Sequence, residues 1–262
     1  MLKKRLVGAV TIKNSMVVQS FGYNRYLPIG KPKVVVENLD RWGIDEIFIQ
    51  VIDRSKNNLG PDIELIEEIS SSGILTPIMY AGGIQNETQA AQVIRAGAER
   101  ICVDGLLHTN PGEVEKIARR LGGQAVVGCL PVGISSNGMT YWYNYQTKEK
   151  CLISERLLSL IEGGLISEIL LVDWQNEGCD EAFNFRILEL FEKYNVPLIL
   201  FGGLTSVKIL KEAFDSPMVV AAAVGNRLNY SEHSVQRLKN QLSSSPIRNA
   251  YYHDRSIFKY YD

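Results

Sequence analysis

A (β/α)8 barrel is the fold class this sequence predicts, and three observations predict it. Short, nearly continuous runs of Val, Ile and Leu alternate with amphipathic segments along the whole chain. Runs that are apolar on both faces are what parallel strands covered by helices require. The runs and segments pair off eight times, and 262 residues is a length that such a barrel occupies. The chain also repeats itself. Pro77-Ile-Met-Tyr-Ala-Gly-Gly83 returns half a chain later as Pro197-Leu-Ile-Leu-Phe-Gly-Gly203, and Gly43-Ile-Asp-Glu-Ile-Phe-Ile49 returns as Leu165-Ile-Ser-Glu-Ile-Leu-Leu171. The two halves read as one duplicated half-barrel. A half-barrel leaves sheet edges and an apolar face open, so two copies must close on each other.

In order, the predicted strands are Leu6–Thr11, Glu46–Val51, Thr76–Tyr80, Arg100–Val103, Ala125–Leu130, Glu168–Asp173, Pro197–Phe201 and Met218–Ala222. The first leads through a turn into a second short extended run at Val17-Val18-Gln19. The predicted helices are Pro32–Trp42, Asp62–Ser71, Glu87–Ala96, Pro111–Leu121, Ser154–Glu162, Glu181–Tyr194, Ser206–Phe214 and Ser231–Leu242. Pro32 and Pro111 suit a first helical turn, where the missing N–H costs nothing. Gly43, Gly73, Gly97 and Gly122 suit helix ends. Two segments depart from the pattern. Gly133–Lys150, containing Tyr141-Trp-Tyr-Asn-Tyr145, is a hairpin-like insertion after the fifth strand, either a lid over the site or a purely structural hairpin. Residues 246–262 form an aromatic C-terminal extension beyond a barrel of residues 1–245, expected to pack on the barrel or on a partner.

The bulk composition narrows the function classes. The chain is 45% hydrophobic and 22% charged with a net charge of −1, so no overall basic field points to nucleic acid. Its longest apolar runs are strand-sized and too short for a membrane span. Met1-Leu-Lys-Lys-Arg5 is basic but runs straight into a strand, so no signal peptide is expected. Cys102, Cys129, Cys151 and Cys179 stand far apart, as in reduced cytoplasmic proteins. His108, His233 and His253 lack metal-ligand spacing, and neither a metal nor another cofactor is expected.

A glycine pair at the C-terminal end of a strand lets backbone N–H groups approach a phosphate closely. Gly82-Gly83 and Gly202-Gly203 are two such pairs half a barrel apart, which suits a substrate with a phosphate at each end; tight turns would need glycine there as well. Other polar strand-end residues are Lys13, Asp53, Arg54, Asp104, Cys129, Asp173, Gln175, Glu177 and Arg227. No spacing among them defines a nucleophile–base pair.

With Lys4-Arg-Leu-Val7, Val17-Val-Gln19, Ala96-Gly-Ala-Glu-Arg100 and Glu168-Ile-Leu-Leu171, the chain resembles the cyclase subunit of imidazole glycerol phosphate synthase from Met1 to about Leu242. The resemblance implies a heterodimer. A glutaminase partner docks on the N-terminal face, and its ammonia crosses the barrel interior to a bisphosphorylated substrate at the C-terminal face. It also implies a charged gate at Arg5, Glu46, Arg100 and Glu168, partner docking at Glu99 and Gln124, and phosphate binding at Gly82, Gly83, Gly178, Gly202 and Gly203. The charge signs of the gate are kept, with Arg100 where the family has lysine. The catalytic aspartates are not kept: their positions hold Thr11 and Pro131. Further family aspartates are Val51 and Gln175, an asparagine–threonine phosphate pair is Asp104-Gly105, and a phosphate-binding serine is Ala223. A carboxyl shuttles protons near neutral pH when its environment tunes it, whereas threonine does not ionise there and proline has no polar side-chain atom.

The expectation is therefore a cyclase-like, ammonia-channelling subunit of a glutamine amidotransferase complex. The best-fitting context is that of diverged cyclase-like copies linked to bacterial surface-polysaccharide synthesis, where a sugar amidotransferase would be a third partner and an acetamidino sugar the product. The alternatives are the histidine-biosynthesis cyclase itself, which the residues at 11 and 131 oppose, and an unrelated phosphosugar-type barrel enzyme.

Overall fold

The computed structural model describes residues 3–250. In chain order the elements are β1 (Arg5–Lys13), β2 (Met16–Phe21), β3 (Arg25–Gly30), α1 (Pro32–Arg41), β4 (Glu46–Val51), α2 (Ile63–Ser70), β5 (Ile78–Ala81), α3 (Glu87–Arg95), β6 (Arg100–Val103), α4 (Gly105–Thr109) and α5 (Pro111–Leu121). They continue with β7 (Val126–Ile134), β8 (Thr140–Asn144), β9 (Glu149–Cys151), α6 (Glu155–Glu162), β10 (Glu168–Asp173), β11 (Leu198–Phe201), α7 (Val207–Asp215), β12 (Val219–Val224) and α8 (Ser234–Gln241).

Eight parallel strands close the barrel in the order β1, β4, β5, β6, β7, β10, β11, β12, with β12 returning to β1 through Arg5↔Ala221 to Gly8↔Val224. The repeated segments fall on β4 and β10 and on β5 and β11, which lie opposite each other in the ring. Side chains alternate along each strand. One set packs outward against the helices, and the other fills the interior with Val7, Ala9, Phe48, Met79, Cys102, Val127, Leu170, Val172, Ile199, Phe201, Ala221 and Ala223. Asp62, Asn86, Asn110, Ser154 and Ser206 cap the helices that follow the barrel strands, each accepting a backbone N–H from the first turn. No helix among the described residues is long and apolar enough to cross a membrane.

Three features differ from or extend the sequence reading. The run at Val17–Gln19 is one arm of a full antiparallel hairpin, β2–β3, whose second arm contains Pro28 and lies at the sheet edge. The segment 181–194 is not an α-helix: only Phe185–Phe191 winds, as 3-10 turns. Its first residues are held elsewhere, because Asp173 Oδ2 accepts Asn184 N at 2.8 Å and Gly203 O accepts Ala182 N at 3.2 Å. The insertion after the fifth barrel strand forms the hairpin β8–β9, paired onto the end of β7.

Beyond α8, Lys4 N donates to Pro246 O at 2.7 Å and Arg248 N donates to Lys4 O at 3.1 Å, so the chain returns to the start of β1. Nearby, the buried Lys239 ammonium meets Asp45 at 2.7 Å, tying α8 to the barrel floor. The aromatic tail from Tyr251 onward lies outside the described residues.

Candidate functional site

The first residues of β1, β4, β6 and β10 place Arg5, Glu46, Arg100 and Glu168 at the N-terminal floor, and the four close into one circuit. Arg100 donates to both carboxylates, at 2.8 Å to Glu46 Oε1 and 2.7 Å to Glu168 Oε2. Arg5 reaches Glu168 Oε2 at 2.7 Å but Glu46 Oε2 only at 3.6 Å, and neither Arg5 Nε nor Glu46 Oε2 has a hydrogen-bond partner. The circuit thus has three tight edges and one loose edge. Burial raises the Glu46 pKa, opposed by Arg100 and Arg5 and reinforced by Glu168. Burial pulls Arg100 down, but Glu46 and Glu168 outweigh it and hold the guanidinium charged. Above the ring the interior is apolar up to the mouth. Glu99 and Gln124 are exposed beside this floor, and the Glu99 carboxylate accepts Ile78 N at 2.6 Å.

At the C-terminal mouth, the turn between β2 and β3 crosses to the far side. Glu177 Oε2 accepts Ser20 Oγ and Tyr23 N, each at 3.0 Å, while Glu177 O accepts Gly22 N at 2.9 Å. Asn226 Nδ2 donates to Ser20 O at 2.7 Å. Tyr23 Oη and Gln50 Oε1 are 3.2 Å apart, and Gln50 Nε2 donates to Thr11 Oγ1 at 2.7 Å. Thr11 is therefore engaged in a neutral network, and Pro131 in β7 leaves no ionisable group at the equivalent place.

This crossing leaves two separate pockets with no shared lining residue. A small one, about 40 Å³, is lined by Thr11, Glu177, Gly178, Gly202, Gly203 and Ala223, among others. A larger one of about 620 Å³ contains Gly82, Gly83, Asp104, Cys129, Trp142 and Tyr145. The two glycine pairs are thus not brought into one cavity. Their turns are also filled by the chain itself: a Cβ on Gly83 would lie 2.2 Å from Gly60 O, and one on Gly202 would lie 2.5 Å from Asp173 O. Gly83 N is already given to Ser55 Oγ at 3.0 Å.

Most other strand-end polar groups are spent inside the fold. Asp53 accepts Asn14 N, Arg54 clamps the carbonyls of Leu59, Gly60 and Pro61, Gln175 accepts Ile134 N, and Arg227 donates to Thr205 O. Asp104 is different. Burial lifts its pKa to about 7, against the pull of the Trp142 indole N–H, and its Oδ1 has no hydrogen-bond partner. Val51 also lines the larger cavity. Among the described residues, no group of His, Cys, Asp and Glu is arranged to hold a metal ion.

Residues 5–234 match the model of the family described as histidine biosynthesis protein. The chain belongs to that family. Among its relatives is a Vibrio vulnificus protein provisionally named imidazole glycerol phosphate synthase subunit hisF2, 26% identical over 94% of this chain and 91% of the relative. The imidazole glycerol phosphate synthase subunits HisF of Natranaerobius thermophilus and Alkaliphilus metalliredigens are 23% and 26% identical, each over 94% of this chain and 98% of their own length. The resemblance read from the sequence thus extends over nearly the whole chain.

Sequence reasoning missed the crossing turn and its anchors, Ser20, Gln50 and Asn226. Each is an ordinary loop or strand residue in sequence. A signal was present at Tyr23, Tyr26, Tyr141, Tyr143 and Tyr145, whose clustering near two strand ends marks the same mouth.

Proposed function

We propose that this protein is an ammonia-conducting, cyclase-like subunit of a glutamine amidotransferase complex, with its ancestral ring closure lost. The observation that carries this reading is the contrast between the closed four-charge circuit at the floor and the uncharged Thr11 and Pro131 at the mouth. Ammonia released by a glutaminase on the N-terminal face would enter where the circuit opens, at the loose Arg5–Glu46 edge. The apolar interior suits neutral ammonia and penalises ammonium, because an unpaired ion in such surroundings is costly. Glu99 and Gln124 would meet the partner, although Glu99 also caps the start of β5. The glycines at 82, 83, 178, 202 and 203 act in this reading as turn formers. The acceptor would be a sugar of surface-polysaccharide synthesis, with an amidotransferase completing the complex in the cytoplasm.

The relatives' names favour a second reading, the imidazole glycerol phosphate synthase reaction itself. Two assays separate them. Under the first reading the protein retains a glutaminase on co-purification and stimulates its glutamine hydrolysis, while the bisphosphorylated ribulosyl substrate with ammonium salt gives no imidazole product. Cyclisation above the buffer rate would overturn the loss of ring closure. Failure both to bind and to stimulate a glutaminase would overturn the ammonia role.

A further inference from the structure

Residues 246–249 are tied to the floor of the barrel, beside the loose edge of the charged circuit. Lys4 and Ile247 form a parallel bridge, and the Ile247 side chain is buried in the outer core. Lys239, which pairs with Asp45, also donates to Asn249 O at 3.5 Å, and Lys3 Nζ donates to Asn249 Oδ1 at 3.4 Å. Lys4 immediately precedes Arg5, and Asp45 immediately precedes Glu46. The strands they lead into, β1 and β4, are neighbours in the ring. Residues 251–262 therefore start from a point anchored between the beginnings of β1 and β4, on the side of the floor where Arg5 and Glu46 stand 3.6 Å apart.

The stretch is dense in groups that need a seat. Tyr251, Tyr252, Ile257, Phe258, Tyr260 and Tyr261 are large and apolar or aromatic. Arg255 and Lys259 balance Asp254 and Asp262, so no excess charge directs it to nucleic acid or an anionic membrane. Tyrosine is enriched where one protein meets another, because it joins a large apolar ring to a polar tip. The barrel's own floor offers little to receive these side chains. Among the described residues, Leu75, before β5, is the only large hydrophobic exposed at that end. The others follow barrel strands and lie toward the mouth, as Val34, Leu59, Met139 and Tyr230 do. Extended at ~3.3 Å per residue, the stretch spans roughly 40 Å, ample to pass from the barrel onto a protein seated against the floor. It also lies beyond residues 5–234, which the family model matches, so it adds to whatever docking the shared barrel provides.

We propose that residues 251–262 are a docking arm for the glutaminase, rooted by the Lys4–Ile247 bridge beside the Arg5–Glu46 edge. The arm rests on the ammonia role proposed above and names the part of this chain that holds the partner supplying the ammonia. Its aromatic side chains seat on the partner, and its root keeps that partner over the side of the floor where the circuit is loosest.

The test uses the glutaminase retained in the co-purification above, purified and verified by its hydrolysis of glutamine. Its affinity is measured by calorimetry against the full chain, against a chain stopped after Ala250, and against the full chain carrying Phe258→Ser and Tyr261→Ser. Both variants should bind about tenfold more weakly or worse. Both should melt together with the full chain, because the arm's side chains seat on the partner rather than on the barrel. Amides within residues 252–262 should gain protection from hydrogen exchange when the glutaminase is added. If the stopped chain does not fold, the double variant and the exchange measurement decide. Undiminished affinity in a folded variant would overturn the proposal, as would the absence of any gain in protection. A lower melt with unchanged affinity would put the segment on its own barrel, and a dimeric full chain beside a monomeric stopped chain would put it on a second copy; either result overturns the proposal as well. Failure of the full chain to retain a glutaminase removes the ammonia role and the arm together, whereas retention with undiminished affinity in the variants removes the arm alone.

Discussion

The two ends of one barrel have been treated differently. At the floor, four charged side chains from four strands compensate one another in a closed circuit. At the mouth, the strand ends carry a neutral threonine, a proline and a carboxylate with no cation beside it. The floor is charge-compensated but leaves Arg5 Nε and Glu46 Oε2 without hydrogen-bond partners, whereas the mouth is polar and roomy. Buried charges persist when each has a partner, and breaking a pair leaves the survivor uncompensated. By that logic the floor's charges are balanced within one chain, whereas Asp104 at the mouth has no cation to offset its burial.

The largest expected effect would break the floor side of this comparison. Glu168→Ala leaves Arg5 and Arg100 facing each other without their shared carboxylate, and should cost ~3–5 kcal/mol in a denaturant melt. Under the proposed function, the same variant releases ammonia to solvent instead of the acceptor while glutamine hydrolysis continues. An unchanged melt would show that the circuit contributes nothing to holding the floor.

The loose edge sharpens the same point. Arg100 makes short contacts to both carboxylates and Arg5 to only one, so Arg100→Ala should destabilise more than Arg5→Ala, by at least ~1 kcal/mol in paired melts. Equal losses would remove the argument that the ring opens between Arg5 and Glu46.

At the mouth, Glu177→Ala removes the acceptor of Ser20 Oγ and Tyr23 N, two bonds to a charged group worth ~1.5–3 kcal/mol each before relaxation. The expected result is faster amide exchange at Gly22 and Tyr23, with exchange in the barrel strands little changed. Uniformly faster exchange would mean that Glu177 supports the whole barrel rather than the crossing turn.

A pH slope separates the two ends as well. Asp104 has a folded pKa raised to about 7, so its contribution to stability is full below the unfolded value of ~3.9 and is lost as pH rises to about 7. Asp104→Asn should remove that slope. Its Tm relative to wild type should climb between pH 4 and 7 and then level off. Parallel pH profiles would place the carboxyl in water rather than in the cavity.

The sequence by itself determined the barrel, because strand burial on both faces is written into local composition and the duplicated segments repeat the same pattern. The family resemblance singled out the four floor charges, and the pattern agrees with it: Glu46, Arg100 and Glu168 open predicted strands, Arg5 immediately precedes one, and the starts of parallel strands lie on one face of the barrel. The hairpin after β7 was legible as an aromatic, polar insertion. The segment at 181–194 was not, because its helical spacing was overridden by the bonds that hold Asn184 and Ala182 to β10 and the β11 turn. Only the tertiary structure decided that the two glycine pairs end in separate pockets. That separation depends on Tyr23 and Ser20 reaching Glu177 across the mouth, a contact between residues far apart in the chain. Likewise, the raised pKa of Asp104 could not be read from its place at a strand end, because it arises from burial where Trp142 of β8 packs against it. Local patterns report what a segment can form; which buried atoms remain without partners is fixed only when distant segments meet.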